Sequence, residues 1–273
     1  MDSLNYPYRY IDHAYGHYPL ESFGYDDMLC EMVGSNESER VIRSWVHQNT
    51  IVLGIKDARL PHLKDGLEYL ESLGYHYIVR NSGGLGVVLD DGVLNVSLII
   101  PGGFEVSIDD GYEMMYDLIQ STLSKYNLPI DAKIIEQSYC PGDYDLSIHG
   151  KKFAGISQRR IKNAIAVQIY LCVSGSGSDR ARLMQEFYRR ATDKSSQENY
   201  PNIDPTQMAS LNELLGTELT AMDMMMELLI TMKSNGSKLL NQPLSSHEID
   251  RFEYYYDRVL KRNEKMIKKG VGE

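Results

Sequence analysis

Cysteine is scarce in this 273-residue chain, which has only Cys30, Cys140 and Cys172. Three cysteines make no disulfide framework, and no C-x-x-C pair suggests a zinc site. Long hydrophobic runs are missing too. The most extended, around residues 165–173, is too short to cross a bilayer. The opening MDSLNYPYRY carries neither the basic nor the apolar segment of a secretion signal. These absences point to a reduced, soluble, cytoplasmic protein with no membrane partner. Basic residues are outnumbered 38 to 28, for a net charge of −10, so nucleic acid is not an expected partner. No G-x-S-x-G elbow is present, which argues against an α/β hydrolase.

What is there reads as a globular domain, with 42% apolar and 24% charged residues. Residues 1–39 show no helical or strand period and are expected to wrap the surface. Asp57–Leu73 has helical apolar spacing, with Gly74 as its C-terminal cap. Val87–Leu89 and Val93–Ile100 flank Asp-Asp-Gly, which predicts a β-hairpin. Asp110–Tyr126 predicts a helix; residues 133–137, 144–148, 153–159 and 164–173 predict strands. SGSGS at 174–178 predicts a flexible joint before a helix at 179–191. Further helices are expected at 208–215 and 221–233. A linker at 235–243 is expected before a last helix opened by Ser245-x-x-Glu248. This order excludes regular βαβ alternation and argues for an α+β fold with an antiparallel or mixed sheet.

Chemistry concentrates in two units. In Ser138–Arg160, Cys140 precedes Pro141 and Gly142. Proline predicts extended backbone at Cys140, and the turn presents a small side chain at a loop edge. A thiol is nucleophilic only as thiolate and needs a nearby cation or donor. Lys151, Lys152 and His149 are candidates, if the strands on either side of His149-Gly150 fold back. Cys30 and Cys172 sit in apolar segments and read as core. The second unit is Arg80-Asn81-Ser82-Gly83-Gly84-Leu85-Gly86, whose glycines permit close backbone approach and N–H donation to an oxyanion. Its spacing matches neither G-x-G-x-x-G nor a Walker loop. His13 and His17 are four apart but not on a helical pattern, so no metal site is expected.

Together these units resemble the biotin/lipoate protein ligase superfamily. Arg80–Gly84 is similar to the R-x-(S/T)-G-G loop of its lipoyl branch, and Gly150-Lys151-Lys152-Phe153-Ala154-Gly155 to that branch's G-(R/K)-K-(I/V)-(A/S)-G. Met208–Gly216 resembles its downstream M-x-S-L-x-E-L-L-G. Cys140, twelve residues before Lys152, resembles the cysteine-dependent octanoyl/lipoyl amidotransferases of the superfamily. Leu89-Asp90 stands where many of its ATP-dependent ligases carry His-Asp.

The resemblance implies a biotin/lipoate ligase-like α+β fold, with about seven strands flanked by helices. The catalytic domain would span 40–236, followed by a helical extension at 237–273. It implies Cys140 and Lys152 as catalytic residues, with Arg80, Ser82, Gly83, Gly84, Gly155 and Ser157 binding substrate. Lys152 would lower the Cys140 pKa and shuttle protons, and no cofactor is needed. The donor would be octanoylated glycine-cleavage H protein and the acceptors lipoyl domains of 2-oxoacid dehydrogenases. Val87, Val96 and Leu98 could line an acyl pocket. The cluster Lys151, Arg159, Arg160 and Lys162 would meet acidic lipoyl domains. An acyl-carrier-dependent transferase, an ATP-dependent lipoate ligase and a non-catalytic lipoyl-domain binder stay open as alternatives.

Overall fold

The computed structural model describes residues 5–14, 18–102, 106–192 and 200–272. The first half of the chain runs β1 (Pro7–His13), α1 (Glu21–Gly34), β2 (Arg40–Trp45), β3 (Thr50–Leu53), α2 (Leu63–Ser72), β4 (His76–Val79), β5 (Val87–Leu89), β6 (Val93–Pro101) and α3 (Ile108–Leu123). The second half runs β7 (Asp131–Ala132), β8 (Asp145–Ile148), β9 (Lys151–Ile161), β10 (Ala164–Cys172), α4 (Gly177–Ala191), α5 (Leu211–Leu215), α6 (Ala221–Ser234), β11 (Lys238–Leu240) and α7 (Ser246–Val271). Eight strands form a mixed sheet in the order β11-β1-β2-β6-β10-β9-β8-β7, and β4-β3-β5 form a smaller one. The α+β expectation therefore holds.

Helices cover both faces of the large sheet, which is why β6 and β10 are apolar almost throughout. Leu94, Val96, Leu98 and Ile100 of β6 pack with Ile165, Val167 and Ile169 of β10 against Met115, Leu118 and Ile119 of α3 and Leu228 of α6. Ile99, Ala164 and Ala166 turn the other way, onto Met28, Leu29 and Val33 of α1. The hairpins β8–β9 and β9–β10 close on the two-residue turns His149-Gly150 and Lys162-Asn163, all four with positive φ, as tight hairpins require. Val96 and Leu98 are thus core residues rather than pocket lining.

Several expectations are corrected. Residues 7–14 and 18–34 do not wrap the surface. β1 pairs with β2 and β11, and α1 is buried on most sides, because a helix enclosed by a sheet and α7 needs no polar face. β5 and β6 are not a hairpin. β5 pairs with β3 in the small sheet, and Asp90-Asp91-Gly92 carries the chain across to the large one. Arg180 fixes that crossing, donating to both Asp90 carboxylate oxygens at 2.7 Å. Residues 174–178 are a helix start rather than a joint. Ser176 caps α4, and Glu213 accepts from the Gly177 N–H at 3.0 Å. Strand structure at 133–137 is replaced by the short β7 upstream, and the 235–243 linker contains β11.

Candidate active site

A cavity of about 290 Å³ lies where the two sheets meet. Phe23, Trp45, Val52, Val87, Ile169 and Tyr170 give it apolar walls. Cys140, Arg80, Ser82, Gly83, Gly84, Gly155 and Ser157 all border it. The glycine loop and the segment from Cys140 to Ser157, more than 50 positions apart in the sequence, are thus brought to one place. Cys140 is half-buried here, whereas Cys30 and Cys172 are fully buried.

The Cys140 backbone is left-handed, with φ +50°, not extended as Pro141 led the sequence to predict. That conformation costs a non-glycine residue about 1–2 kcal/mol and persists where surrounding bonds fix it. Lys152 supplies those bonds. Its Nζ donates to the carbonyls of Tyr139 at 3.1 Å and Cys140 at 2.8 Å, and to Ser138 Oγ at 3.2 Å. The cysteine sulfur turns the other way. It accepts from Arg80 Nη2 and from the Leu85 N–H, both at 3.1 Å. Gly84 is required beside it, since a Cβ there would lie 2.3 Å from Arg80 Nη2 and 3.0 Å from Cys140 Sγ. The cation at the sulfur is therefore Arg80, and Lys152 holds the cysteine by its backbone from behind the cavity.

Lys152 is fully buried and also pairs with Asp145 Oδ1 at 2.8 Å. A β-bulge puts it there. The β8–β9 register moves from Leu146↔Ala154 to Ser147↔Lys152, leaving Phe153 as the extra residue. Lys152 and Gly155 are three positions apart, so regular alternation would set them on opposite faces; the bulge brings both to the same one. Burial raises the Asp145 carboxyl above its ordinary value. Lys152 and the N–H groups of Ile135 and Gly142 counter this only in part. The Met208–Gly216 segment joins the same unit, because the Ala209 N–H donates to the Lys152 carbonyl at 3.0 Å.

The glycine loop has its own support. Tyr188 OH donates to Asp57 Oδ1 at 3.0 Å and accepts from the Gly86 N–H at 3.1 Å. Burial pushes the Asp57 carboxyl up despite these donors and the Gly54 N–H at 2.7 Å. On the opposite wall, Gln168 Nε2 donates to Asp26 Oδ2 at 2.6 Å, which leaves its Oε1 for Ser157 Oγ at 3.3 Å. Arg43 and Ser97 complete the shell around the buried Asp26. Asp145, Tyr170 and Gln168 border the cavity but were not picked from the sequence. An acid five residues before the lysine signature is the available hint for Asp145. Tyr170 and Gln168 lie in a strand that reads as core.

The expected basic surface cluster is largely satisfied internally. Arg159 pairs with Asp27 at 2.8 Å, Arg160 donates to the carbonyls of Val106 and Ser107, and Lys162 lies 3.6 Å from Glu31. Lys151 is exposed.

An α+β scaffold thus holds a hydrogen-bonded thiol at the wall of an apolar cavity. The chain belongs to the lipoyl protein ligase A/B catalytic domain family, whose model matches residues 18–233. It is 52% identical over 262 residues to an octanoyl-[GcvH]:protein N-octanoyltransferase of Staphylococcus aureus, covering 95% of this chain and 94% of that protein. A Geobacillus kaustophilus protein of the same name is 48% identical over 250 residues, covering 91% and 88%. Lipoate-protein ligase A bound with ATP superposes with a TM-score of 0.69 at 13% identity, covering 92% of this chain and 94% of that one. A bi-partite lipoate protein ligase from Thermoplasma acidophilum gives 0.65 at 15% identity, covering 92% of each chain. These two structures share the fold that the sequence motifs implied.

Proposed function

We propose that this protein moves an octanoyl group from a lysine of the glycine-cleavage H protein to a lysine of 2-oxoacid dehydrogenase lipoyl domains, through a thioester on Cys140. The names of the relatives support the donor and the acyl group. The single observation that carries the thioester route is the Cys140 sulfur at the cavity wall, accepting from Arg80 Nη2 and Leu85 N–H. The cavity supports the chain length. A cavity of about 150 Å³ accommodates six-carbon benzene, so eight carbons need roughly 200 Å³, and about 290 Å³ is present. Burying such a tail contributes about 0.8 kcal/mol per methylene.

The thiol proton passes to the Asp145 carboxylate, the member of the Asp145–Lys152 pair that borders the cavity. The thiolate attacks the amide carbonyl carbon, and the Arg80 and Leu85 donors stabilise the charge that moves onto oxygen. The C–N bond breaks, the donor lysine nitrogen takes the proton from the pair, and the acyl group stays on sulfur. The acceptor amine then attacks the thioester and gives its proton to the pair. The C–S bond breaks, and the thiolate returns. One amide replaces another, so the exchange is near thermoneutral and consumes no ATP.

Intact mass after incubation with octanoylated H protein tests this reading. Wild type gains one octanoyl unit, released by hydroxylamine, and Cys140→Ala gains none. An adduct retained in Cys140→Ala, or none on wild type, removes the thioester. Transfer to a lipoyl domain without ATP completes the test.

A further inference from the structure

We propose that Tyr170 is a further catalytic residue, whose hydroxyl hydrogen-bonds the acyl carbonyl oxygen as it becomes negative beside Cys140. The inference deepens the thioester route above and rests on it.

Tyr170 lies in β10 and borders the cavity, yet the residue is only 8% exposed. Among the described residues its hydroxyl has no hydrogen-bond partner. A buried tyrosine hydroxyl ordinarily finds one, because leaving it unsatisfied costs about 1–3 kcal/mol. In a cavity wall, such a group is set for a partner that arrives with substrate. The neighbourhood identifies which part of the substrate. Gly155, the cross-strand partner of Tyr170, borders the cavity together with Cys140 and Asp145. Lys152 Nζ lies 5.7 Å from the centre of the Tyr170 ring. The hydroxyl therefore belongs to the reacting end of the cavity rather than to the end that holds the tail.

Gly155 makes this placement possible. It is the cross-strand partner of both Tyr170 and Asp145. A Cβ on Gly155 would come within 2.7 Å of the Tyr170 ring and 3.4 Å of its hydroxyl. The ring lies across that glycine, so the glycine of the lysine signature is there to seat a phenol. Burial first, then the charges of Tyr139 and Cys172, raises the phenol well above its ordinary value. The hydroxyl stays protonated across the working pH range and can only donate to a developing oxyanion. Tyr139, ring centroid 6.1 Å away, spends its own hydroxyl on Cys172 Sγ at 3.8 Å.

Tyr170→Phe keeps the ring and removes the hydroxyl. The assay is single-turnover acylation of Cys140 by saturating octanoylated H protein, read by intact mass, with a thermal melt of each protein. The expected result is a rate about 10²-fold below wild type, the loss typical of one oxyanion donor, with a melting temperature equal to or above wild type. A phenylalanine variant that acylates at the wild-type rate overturns the inference. So does a loss that follows a fall in melting temperature, since that would make Tyr170 a packing residue. Wild type that fails to acylate overturns the thioester route, and this inference with it; the two failures are told apart by the wild-type arm.

Discussion

At the scale of single residues, the Lys152–Asp145 pair is the most exposed to perturbation. Asp145→Asn leaves a buried ammonium without its counter-charge, and breaking such a pair typically costs 3–5 kcal/mol. Urea denaturation should show a loss of about that size. The pH dependence follows from the sign of the shift. The Asp145 carboxyl is raised in the fold, so the native state holds its proton more firmly than the unfolded chain does. Its contribution to stability therefore declines as pH rises from the unfolded value to the higher folded one. Lys152→Met removes a partner that holds the carboxyl down. Carbon NMR should place the Asp145 carboxyl titration higher still. Gly155→Ala must displace the Tyr170 ring, and octanoyl transfer should fall with it. Cys140, Arg80 and the glycines were legible because small and kinked residues stand out between apolar strands. Asp145 was not, because one extra residue at Phe153 decides which face Lys152 takes. Tyr170 was not, because an unsatisfied hydroxyl is invisible until its neighbours are known.

At the scale of elements, α7 supports the site from a distance. Asn263 accepts from the Val79 N–H at 2.7 Å, at the end of the strand that delivers Arg80. Asn263→Ala leaves that buried N–H unpaired, at a cost of about 1–3 kcal/mol. Thermal melts should detect the loss, and amide exchange should locate it in residues 76–79. The capping boxes of α3, α6 and α7 fix their starts, and Ser245-x-x-Glu248 announced α7 in the sequence. The β5–β6 connection did not announce itself. Asp-Asp-Gly serves a hairpin and a crossing between sheets equally well, and only the β3 pairing chooses. α1 escaped because the amphipathic stripe that reveals a surface helix is absent from one buried on most sides.

At the scale of the molecule, the outer helix is held to the body by charge. Arg9 meets Glu248 at 2.5 Å, and Arg251 meets Glu31 at 2.6 Å. Burial pushes both carboxyls up, but the arginine hydrogen bonds outweigh it and hold both below their ordinary values. Depressed carboxylates stabilise the fold above the unfolded value, near pH 4.3, and lose that contribution as pH falls through the folded one. Protection of α7 amides should therefore drop on acidification below about pH 4 before the β6–β10 core opens. Simultaneous protection loss in both would count against this order. The two sheets meet at one more point, the sulfur of Cys140, which takes hydrogen bonds from a loop carried by the smaller sheet while riding on the larger. A thioester sulfur is a far poorer acceptor than a thiolate. On the proposed route, each round of acylation unfastens that clasp and each return of the free sulfur closes it. The contact between the sheets at that sulfur then differs between the acylated and the free enzyme.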